Sequence, residues 1–277
     1  MWQANENVWV WGGPVKWWGG SMEKDSLIKA VEYFHARNAV YVYGPNNEEM
    51  LSYLEPCSRI FCQVKGCAAG YDEVIKDRKE VAQGEEGQLC HPDLEDARII
   101  SKLSLSNNAI EGGLVDDFSV HVEKLPAERI KAVQDALRFY NPAMKLAMVV
   151  YAENLHKEFG PYLPFIDVIN LWVWKYSNLQ ALPEYIGRAR RVFPGKPIML
   201  GLFMHDYGEA EPDSQEMPRD RVEYQFDFAA KALAEGKIDD IVILGDREIA
   251  KHPDQAKWIK GFLKERLSYA TEDLCRA

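Results

Sequence analysis

Short apolar runs alternate along the chain with longer stretches in which apolar residues return every three to four positions. The first pattern predicts β-strands and the second predicts amphipathic helices. The eight predicted strands span 7–11, 39–43, 59–64, 109–115, 146–151, 167–173, 197–203 and 240–244. Because these strands are apolar at nearly every position, both faces of their sheet should be buried, which favours a parallel sheet covered by helices.

The stretches between the strands read mostly as helices. They are predicted at 24–37, 48–54, 94–105, 126–140, 182–192, 221–234 and 255–267, with a weak helix after the fifth strand. Segment 65–92 is rich in glycine and charge and shows no helical or strand period. We expect it to be a long loop after strand three that forms a mobile lid or wall beside the functional site.

Eight strand–helix repeats within 277 residues match the size of a single (β/α)8 barrel, the TIM barrel of the α/β class. We therefore predict one barrel-shaped catalytic domain over residues 1–277. A doubly wound open sheet is the alternative fold. Such sheets normally carry a phosphate-binding loop, and the sequence has neither a G-x-G-x-x-G helix start nor a Walker pattern.

The net charge and the lengths of the apolar runs argue against nucleic acid and membrane as partners. The formal net charge is −10, and an acidic chain is a poor match for nucleic acid, whose phosphates need clustered Lys and Arg. No apolar run approaches the roughly 18 residues of a membrane span, and the first ten residues lack a signal-peptide pattern. The compartment stays open: cytoplasmic, or periplasmic or secreted if a signal peptide once preceded this sequence. Neither does the sequence set the oligomeric state.

The cysteines give little sign of a disulfide scaffold or a zinc site. They are five in number, and the first three are spaced by five residues rather than in close pairs. The set is Cys57, Cys62, Cys67, Cys90 and Cys275. We expect separate buried or half-buried thiols.

In a (β/α)8 barrel the active site lies at the carboxyl ends of the strands. The residues that follow the predicted strands there are rich in carboxylates and aromatic rings. The candidate catalytic residues are Asp116, Asp117 and Glu153. The candidate substrate-binding residues are Tyr43, Asn46, Tyr151, Trp172, Trp174, Lys175, His205, Asp206, Tyr207 and Asp246.

This combination is typical of glycosidic cleavage, in which one carboxyl group protonates the leaving oxygen and a second group stabilises or attacks the anomeric centre. Asp116 and Asp117 are adjacent, and neighbours on a strand point to opposite sides. For both to serve, the chain must turn at the strand end. Two carboxylates this close should also not both ionise freely, and we expect Asp117 to hold the proton near neutral pH.

Short motifs resemble glycoside hydrolase family 84, the β-N-acetylglucosaminidases that include O-GlcNAcases. GGLVDDF at 112–118 is similar to the adjacent Asp-Asp pair of that family, and YVYGPNNEE at 41–49 resembles its Tyr-x-Tyr-Gly-Pro segment. Glu153 after strand five, a tryptophan on strand six, and Asp206 and Tyr207 after strand seven fall in comparable places.

The resemblance implies substrate-assisted catalysis, in which the substrate's acetamido oxygen attacks the anomeric carbon. It implies that Asp116 orients and polarises the acetamido group and that Asp117 is the general acid and then the base. Two positions depart from the family pattern: Asn46 stands where the family has Lys, and strand six continues as LWVWKYSN at 171–178 rather than ending in Trp-Thr-Gly. We expect a divergent relative.

The sequence thus predicts a glycosidase that acts on a carbohydrate or glycoconjugate, with a β-N-acetylhexosaminide as the substrate that the resemblance implies, and with no cofactor or metal. Two alternatives stay open. One is a divalent-metal-dependent sugar isomerase or aldolase, with Asp117, Glu153, His205 and Asp246 as oxygen and nitrogen ligands. The other is a barrel that binds glycan without cleaving it.

Overall fold

A closed barrel of eight parallel strands forms the centre of the molecule. The computed structural model describes residues 5–15, 22–67, 92–208 and 216–267. Each strand pairs with the next along the chain, and the last pairs with the first. The strands are β1 (Asn5–Gly12), β2 (Ala36–Tyr41), β3 (Arg59–Gln63), β4 (Ile110–Val115), β5 (Lys145–Tyr151), β6 (Val168–Trp172), β7 (Ile198–Leu202) and β8 (Asp240–Leu244). The predicted (β/α)8 barrel is confirmed.

Helices cover the outside of this barrel. They are α1 (Ser26–Phe34), α2 (Glu48–Ser52), α3 (Pro92–Leu103), α4 (Phe118–His121), α5 (Ala127–Leu137), α6 (Leu182–Val192), α7 (Arg219–Ala234), α8 (Glu248–Lys251) and α9 (Pro253–Phe262). All residues of β6, β7 and β8 are buried, as expected for strands with helices on one side and a filled interior on the other. Among the described helices, none has the length and apolarity to cross a membrane.

The connection between β5 and β6 differs from the expected helix. It consists of short 3-10 turns at Ala152–Asn154 and Gly160–Phe165. Pro164 lies inside the second turn, and a proline there removes a backbone donor that an α-helix needs. The chain after Tyr151 therefore stays close to the carboxyl-terminal end of the barrel before it returns.

The second strand begins three residues earlier than predicted. His35 adopts a left-handed backbone with φ 51°, which ends α1 at Phe34 and lets β2 start at Ala36. Tyr43, predicted as the last residue of that strand, instead lies two residues beyond it with φ 68°. This irregular backbone turns Tyr43 toward the site described below.

An ion cluster fills the amino-terminal end of the barrel. Arg59 donates from Nε to Glu111 Oε1 at 2.7 Å and from Nη1 to Asp240 Oδ1 at 3.2 Å. Its guanidinium also lies 4.6 Å from the ring centre of Trp9. Because β3 and β8 are separated by two strands in the barrel, the bond to Asp240 crosses the interior. These contacts occupy the interior at this end of the barrel.

Three of the cysteines, Cys57, Cys62 and Cys67, are free and buried, which confirms the expectation for them. Most of the predicted loop, 68–91, lies outside the described residues, and so do Cys90 and Cys275. The expectation of a lid or wall after β3 therefore stays a prediction.

Candidate active site

The chain turns sharply where β4 ends. Asp117 adopts a left-handed backbone with φ 51° and ψ 21° directly before α4, a conformation that Asp tolerates better than most residues do. The turn brings both Asp116 and Asp117 onto the wall of one cavity, although neighbours on a regular strand would point apart. The turn that the sequence required at this place is confirmed.

The two carboxyl groups have different environments. Burial and the charge of Asp117 raise the pKa of Asp116 to about 7. The hydroxyl of Tyr151 donates to Asp117 Oδ1 at 2.7 Å. The raised pKa favours Asp116 as the carboxyl group that keeps a proton, whereas from the sequence we expect Asp117 to hold it; that expectation stays a prediction.

Gln63, at the end of β3, ties this pair to its surroundings. Its side-chain nitrogen donates to Asp116 Oδ2 at 3.4 Å, and its Oε1 accepts from the backbone N–H of Tyr43 at 3.0 Å. The backbone N–H of Asp117 donates to Asp116 Oδ1 at 2.9 Å. The acid pair is thus held from β3 on one side and, through Tyr151, from β5 on the other.

A cavity of about 350 Å³ opens at the carboxyl-terminal end of the barrel. This volume is within the range of small-molecule sites. The lining residues are Trp11, Tyr43, Gln63, Asp116, Asp117, Val149, Tyr151, Trp172, Trp174, Phe203, Tyr207, Leu244 and Arg247. Seven of these thirteen are aromatic, so most of the wall offers apolar faces with a few polar groups among them.

Two tryptophans of the cavity have different settings. Trp172 ends β6, is 2% exposed, and donates from Nε1 to Asn170 Oδ1 at 2.8 Å; it forms the floor. A side chain at Gly201 would collide with its ring, so the floor depends on that glycine. Trp174 is half-buried and stacks on Tyr207 with 5.7 Å between ring centres. It forms part of the wall nearer the opening.

Arg247 follows β8 and lines the cavity, although it is not among the candidate residues of the sequence analysis. It is 5% exposed and donates from Nε to Glu248 Oε1 at 2.8 Å. Its guanidinium lies 5.5 Å from the ring centre of Tyr43 and 5.9 Å from that of Tyr207. Glu248, which is buried, also accepts a hydrogen bond from the Tyr207 hydroxyl. The only sequence signal for Arg247 is its position directly after a strand, and that position does not reveal its contacts with Glu248 and the two tyrosines.

Of the candidate residues, Tyr43, Tyr151, Trp172, Trp174 and Tyr207 line the cavity together with Asp116 and Asp117. Six others are not among the lining residues. These are Asn46, Glu153, Lys175, His205, Asp206 and Asp246. All of them except the exposed Lys175 have side-chain partners in the surrounding structure.

Asn46 connects loop segments behind the cavity wall. Its Nδ2 donates to the backbone oxygen of Gln63 at 2.9 Å and to Asp96 Oδ2 at 2.9 Å. The same carboxylate accepts from the backbone N–H of Lys65 at 2.9 Å. Asn46 thus holds the chain after β2 against the end of β3 and α3, rather than facing the cavity.

The candidates after β5, β6 and β7 also lie beside the cavity. Glu153 Oε1 accepts from Asn178 Nδ2 at 3.1 Å, and Lys175 is exposed at the rim. Asp206 Oδ1 accepts from the backbone N–H of Gly208 at 3.1 Å, which closes a local turn. These contacts stabilise the loops that carry Tyr151, Trp174 and Tyr207.

His205 forms a buried pair with a histidine from the loop after α8. Its Nδ1 lies 2.7 Å from His252 Nε2, and its ring centre lies 4.6 Å from that of Tyr207. Burial and the neighbouring His252 lower the pKa of His205 to about 4, so the imidazole is neutral at pH 7. It supports the wall formed by Tyr207 from behind.

Asp246 holds the start of the loop after β1. Its Oδ2 accepts from the backbone N–H of Gly13 at 2.8 Å and from Ser26 Oγ at 3.2 Å. Burial, with the nearby charge of Glu248, raises the pKa of Asp246 to about 6. A Cβ atom at Gly12 would overlap this carboxyl group, so the contact needs a glycine there.

The ligand set of the metal-enzyme alternative is not brought together. Asp117, Glu153, His205 and Asp246 each bond to a different partner, as described above. Within the part of the chain that the structure describes, no three His, Cys, Asp or Glu side chains are grouped so that they could hold one ion.

Comparison with solved structures returns glycosidase barrels. The chain matches a β-D-glucuronidase from Dictyoglomus thermophilum with a TM-score of 0.52 and 12% identity, over 87% of this chain and 43% of that one. It matches an active-site mutant of a Rhizomucor miehei β-1,3-glucanosyltransferase, in complex with laminaritriose, with a TM-score of 0.53 and 9% identity over 86% of both chains. It also matches a GH18 chitinase from Flavobacterium johnsoniae with a TM-score of 0.50 and 12% identity over 94% of both.

The chain therefore spans less than half the length of the glucuronidase and most of the length of the other two. No protein-family model matches the sequence, and a search of curated proteins gave no match. At 9–12% identity the likeness shows the fold: the chain folds like the barrels of enzymes that act on sugars, without singling out family 84.

Proposed function

We propose that the protein is a glycoside hydrolase that cleaves a glycosidic bond held in the cavity, with Asp116 and Asp117 as the acid and the anion. One observation carries the proposal: two adjacent carboxyl groups, of which Asp116 has a raised pKa, lie on the wall of an aromatic-lined cavity at the carboxyl-terminal end of a (β/α)8 barrel. Glycosidic cleavage uses one carboxyl group as an acid and a second as an anion.

The raised pKa of Asp116 favours this residue as the proton donor. A pKa of about 7 leaves part of the group protonated near neutral pH and able to release the proton to a leaving oxygen. Asp117, which accepts the hydrogen bond from Tyr151, would polarise the substrate's own nucleophile or a water molecule. This order of roles is the reverse of the one that the family resemblance implies.

Aromatic rings support a sugar as the substrate. Trp174, Tyr207 and Tyr151 present apolar faces with polar edges near the opening, and the deeper floor is Trp172. Such rings suit the C–H face of a sugar and leave its hydroxyls to polar groups. The names of the structural neighbours, which include a glucuronidase and a chitinase, support the same substrate class. A β-N-acetylhexosaminide, which the resemblance implies, is the first substrate to test.

The test is a panel of para-nitrophenyl glycosides that covers common sugars in both anomers, with and without the acetamido group. We expect turnover of at least one of them, and a loss of about a hundredfold or more in Asp116→Asn and in Asp117→Asn. Asp135→Asn is the matched control, because Asp135 lies on an exposed face of α5 in an ion pair with Lys131.

Folded protein that turns over none of these substrates would contradict the proposal. Saturable binding of a sugar without turnover, unchanged in both active-site variants, would instead support the glycan-binding alternative. Loss of activity with a chelator, restored by a divalent ion, would support the metal-enzyme alternative.

A further inference from the structure

A single basic side chain faces the acid pair across the cavity. Among the described residues that line it, Arg247 is the only Lys or Arg. It follows β8, whereas Asp116 and Asp117 follow β4, and these strands lie four positions apart in either direction around the barrel. The cavity is thus acidic at one side and basic at the opposite side.

The guanidinium of Arg247 is held in place before any substrate arrives. Glu248 accepts a hydrogen bond from Arg247 Nε at 2.8 Å. The ring centres of Tyr43 and Tyr207 each lie within 6 Å of Arg247 Cζ. Glu248 is itself fixed by the Tyr207 hydroxyl. A side chain confined in this way loses little further freedom when it binds a ligand, which favours tight and oriented recognition.

We propose that Arg247 binds an acidic group of the substrate, a carboxylate or a sulfate ester on the sugar, so that the enzyme acts on acidic glycosides such as uronides. The inference rests on the proposed function, because it assigns the substrate class of that same site. A guanidinium has five N–H donors in a planar fork that matches the two oxygens of a carboxylate, and Glu248 binds this one through Nε.

The protein already contains a guanidinium that binds two acidic groups. Arg59 binds Glu111 through Nε and Nη2, at 2.7 and 3.1 Å, and Asp240 through Nη1. The partner carboxylate Glu248 therefore does not prevent Arg247 from binding a second one. The charge of Glu248 explains how the Arg247 cation is tolerated in a buried position. An acidic group bound to Arg247 would lie on the β8 side of the barrel, opposite the β4 side that carries Asp117.

The test compares substrates that differ only in the charge of the sugar. Para-nitrophenyl glucuronide, glucoside and glucoside-6-sulfate are measured in both anomers, with the galacto series beside them. We expect kcat/KM to be at least tenfold higher for an acidic substrate than for its neutral partner. Comparison of the glucuronide with the sulfated glucoside shows whether Arg247 recognises a carboxylate or a sulfate. Arg247→Gln should lower kcat/KM for the preferred acidic substrate about a hundredfold or more, and by a factor at least tenfold larger than that for its neutral partner.

Two controls separate recognition from folding. Arg247→Lys keeps the charge but loses the fork, and should retain part of the preference for acidic substrates. Arg59→Gln removes a buried guanidinium from the opposite end of the barrel and should leave the ratio of acidic to neutral kcat/KM unchanged. Equal losses on both substrates in Arg247→Gln, or a wild-type preference for the neutral sugar, would overturn the inference.

A binding measurement distinguishes failure of this inference from failure of the proposed function. Glucuronic acid and glucose are titrated into the wild-type protein and into Arg247→Gln by calorimetry, without any turnover. Glucuronic acid bound at least tenfold more tightly than glucose, through Arg247, supports the inference even if no glycoside is cleaved. Cleavage of neutral glycosides together with no binding of glucuronic acid or its sulfated analogue overturns the inference and leaves the proposed function standing.

Discussion

The two ends of the barrel hold charged clusters of opposite design. At the amino-terminal end Arg59 is matched directly by Glu111 and Asp240 and covered by Trp9. At the carboxyl-terminal end like charges are placed side by side in Asp116 and Asp117, and the cation of the cavity wall stands on the opposite side. The first arrangement neutralises charge inside the fold. The second separates the acidic groups from the basic group by a space that a ligand can enter.

The difference separates structural from functional charge. Matched ions fill one end of the interior, while crowded carboxylates cost free energy that a folded protein tolerates mainly where chemistry needs them. Substitutions at the amino-terminal end should therefore change stability and leave substrate selection alone. Substitutions at the other end should change substrate binding or turnover, and removal of one of the crowded carboxyl groups should also raise stability. The floor between the two ends should behave as core.

The largest change in stability is expected at the floor. Trp172→Ala removes a ring that is 2% exposed and packs on Phe203 and Trp11 at 4.7 and 5.7 Å. Loss of a buried Trp typically costs about 3–5 kcal/mol. Urea unfolding should show a loss in that range. A change below about 1 kcal/mol would place Trp172 with the cavity wall rather than with the core.

Arg59→Gln should lower the free energy of unfolding by about 2 kcal/mol, because it leaves Asp240 without this cation and Glu111 with only the longer contact to Lys145. Breaking a fully buried ion pair costs roughly 3–5 kcal/mol, and the smaller value expected here reflects the 32% exposure of the Arg59 side chain. Chemical denaturation measures it. A change in the relative kcat/KM of two glycosides in this variant would contradict the separation of the two ends.

Trp174→Ala should weaken substrate binding by about 1–3 kcal/mol and leave the fold intact. Trp174 lies beyond β6, is half-buried, and stacks on Tyr207 at the cavity wall. Titration with a competitive sugar ligand gives the change in Kd, and thermal unfolding gives the control. If Trp174→Ala unfolds and Trp172→Ala does not, Trp174 belongs to the core and Trp172 to the cavity wall.

Asp116→Asn should stabilise the protein by on the order of 1 kcal/mol or more at pH 7, because it removes a carboxyl group that is costly to ionise. The folded-state pKa of Asp116 is raised from an ordinary 3.8 to about 7. The stability that this group contributes is therefore present below about pH 4 and is lost as the pH rises toward 7. The free energy of unfolding of Asp116→Asn should exceed that of the wild type by an amount that grows over this pH interval. A difference that does not change with pH would show that the pKa of Asp116 is not raised.

The sequence predicts that Asp116 and Asp117 lie together at a strand end, and it does not predict the network around Arg247. The order of strands and their apolar cores follow from local patterns, and the pair Asp116–Asp117 is visible because the two residues are adjacent. Arg247 and Glu248 are adjacent as well, yet what matters about them is the contact of Glu248 with Tyr207 across a different loop. Such contacts depend on tertiary structure and leave no periodic signal.

The same limit explains the candidates that do not line the cavity. Asn46, His205 and Asp246 follow strands, as predicted, but each is bonded to a residue at least 17 positions away in sequence. A shift of two or three residues in a strand end also decides which side chain turns inward. Tyr43 shows this, since it lines the cavity from an irregular position beyond β2.

The most direct measurement of the central claim is the dependence of kcat/KM on the leaving group in the Asp116→Asn and Asp117→Asn variants. A series of aryl glycosides from dinitrophenyl to phenyl is used, under conditions in which glycosylation limits the rate. We predict that Asp116→Asn loses about a hundredfold or more with phenyl and much less with dinitrophenyl, which needs little protonation, and that Asp117→Asn loses similarly with both. A leaving-group dependence confined to Asp117→Asn would give the donor role to Asp117, and uniform losses in both variants would contradict an acid at this pair.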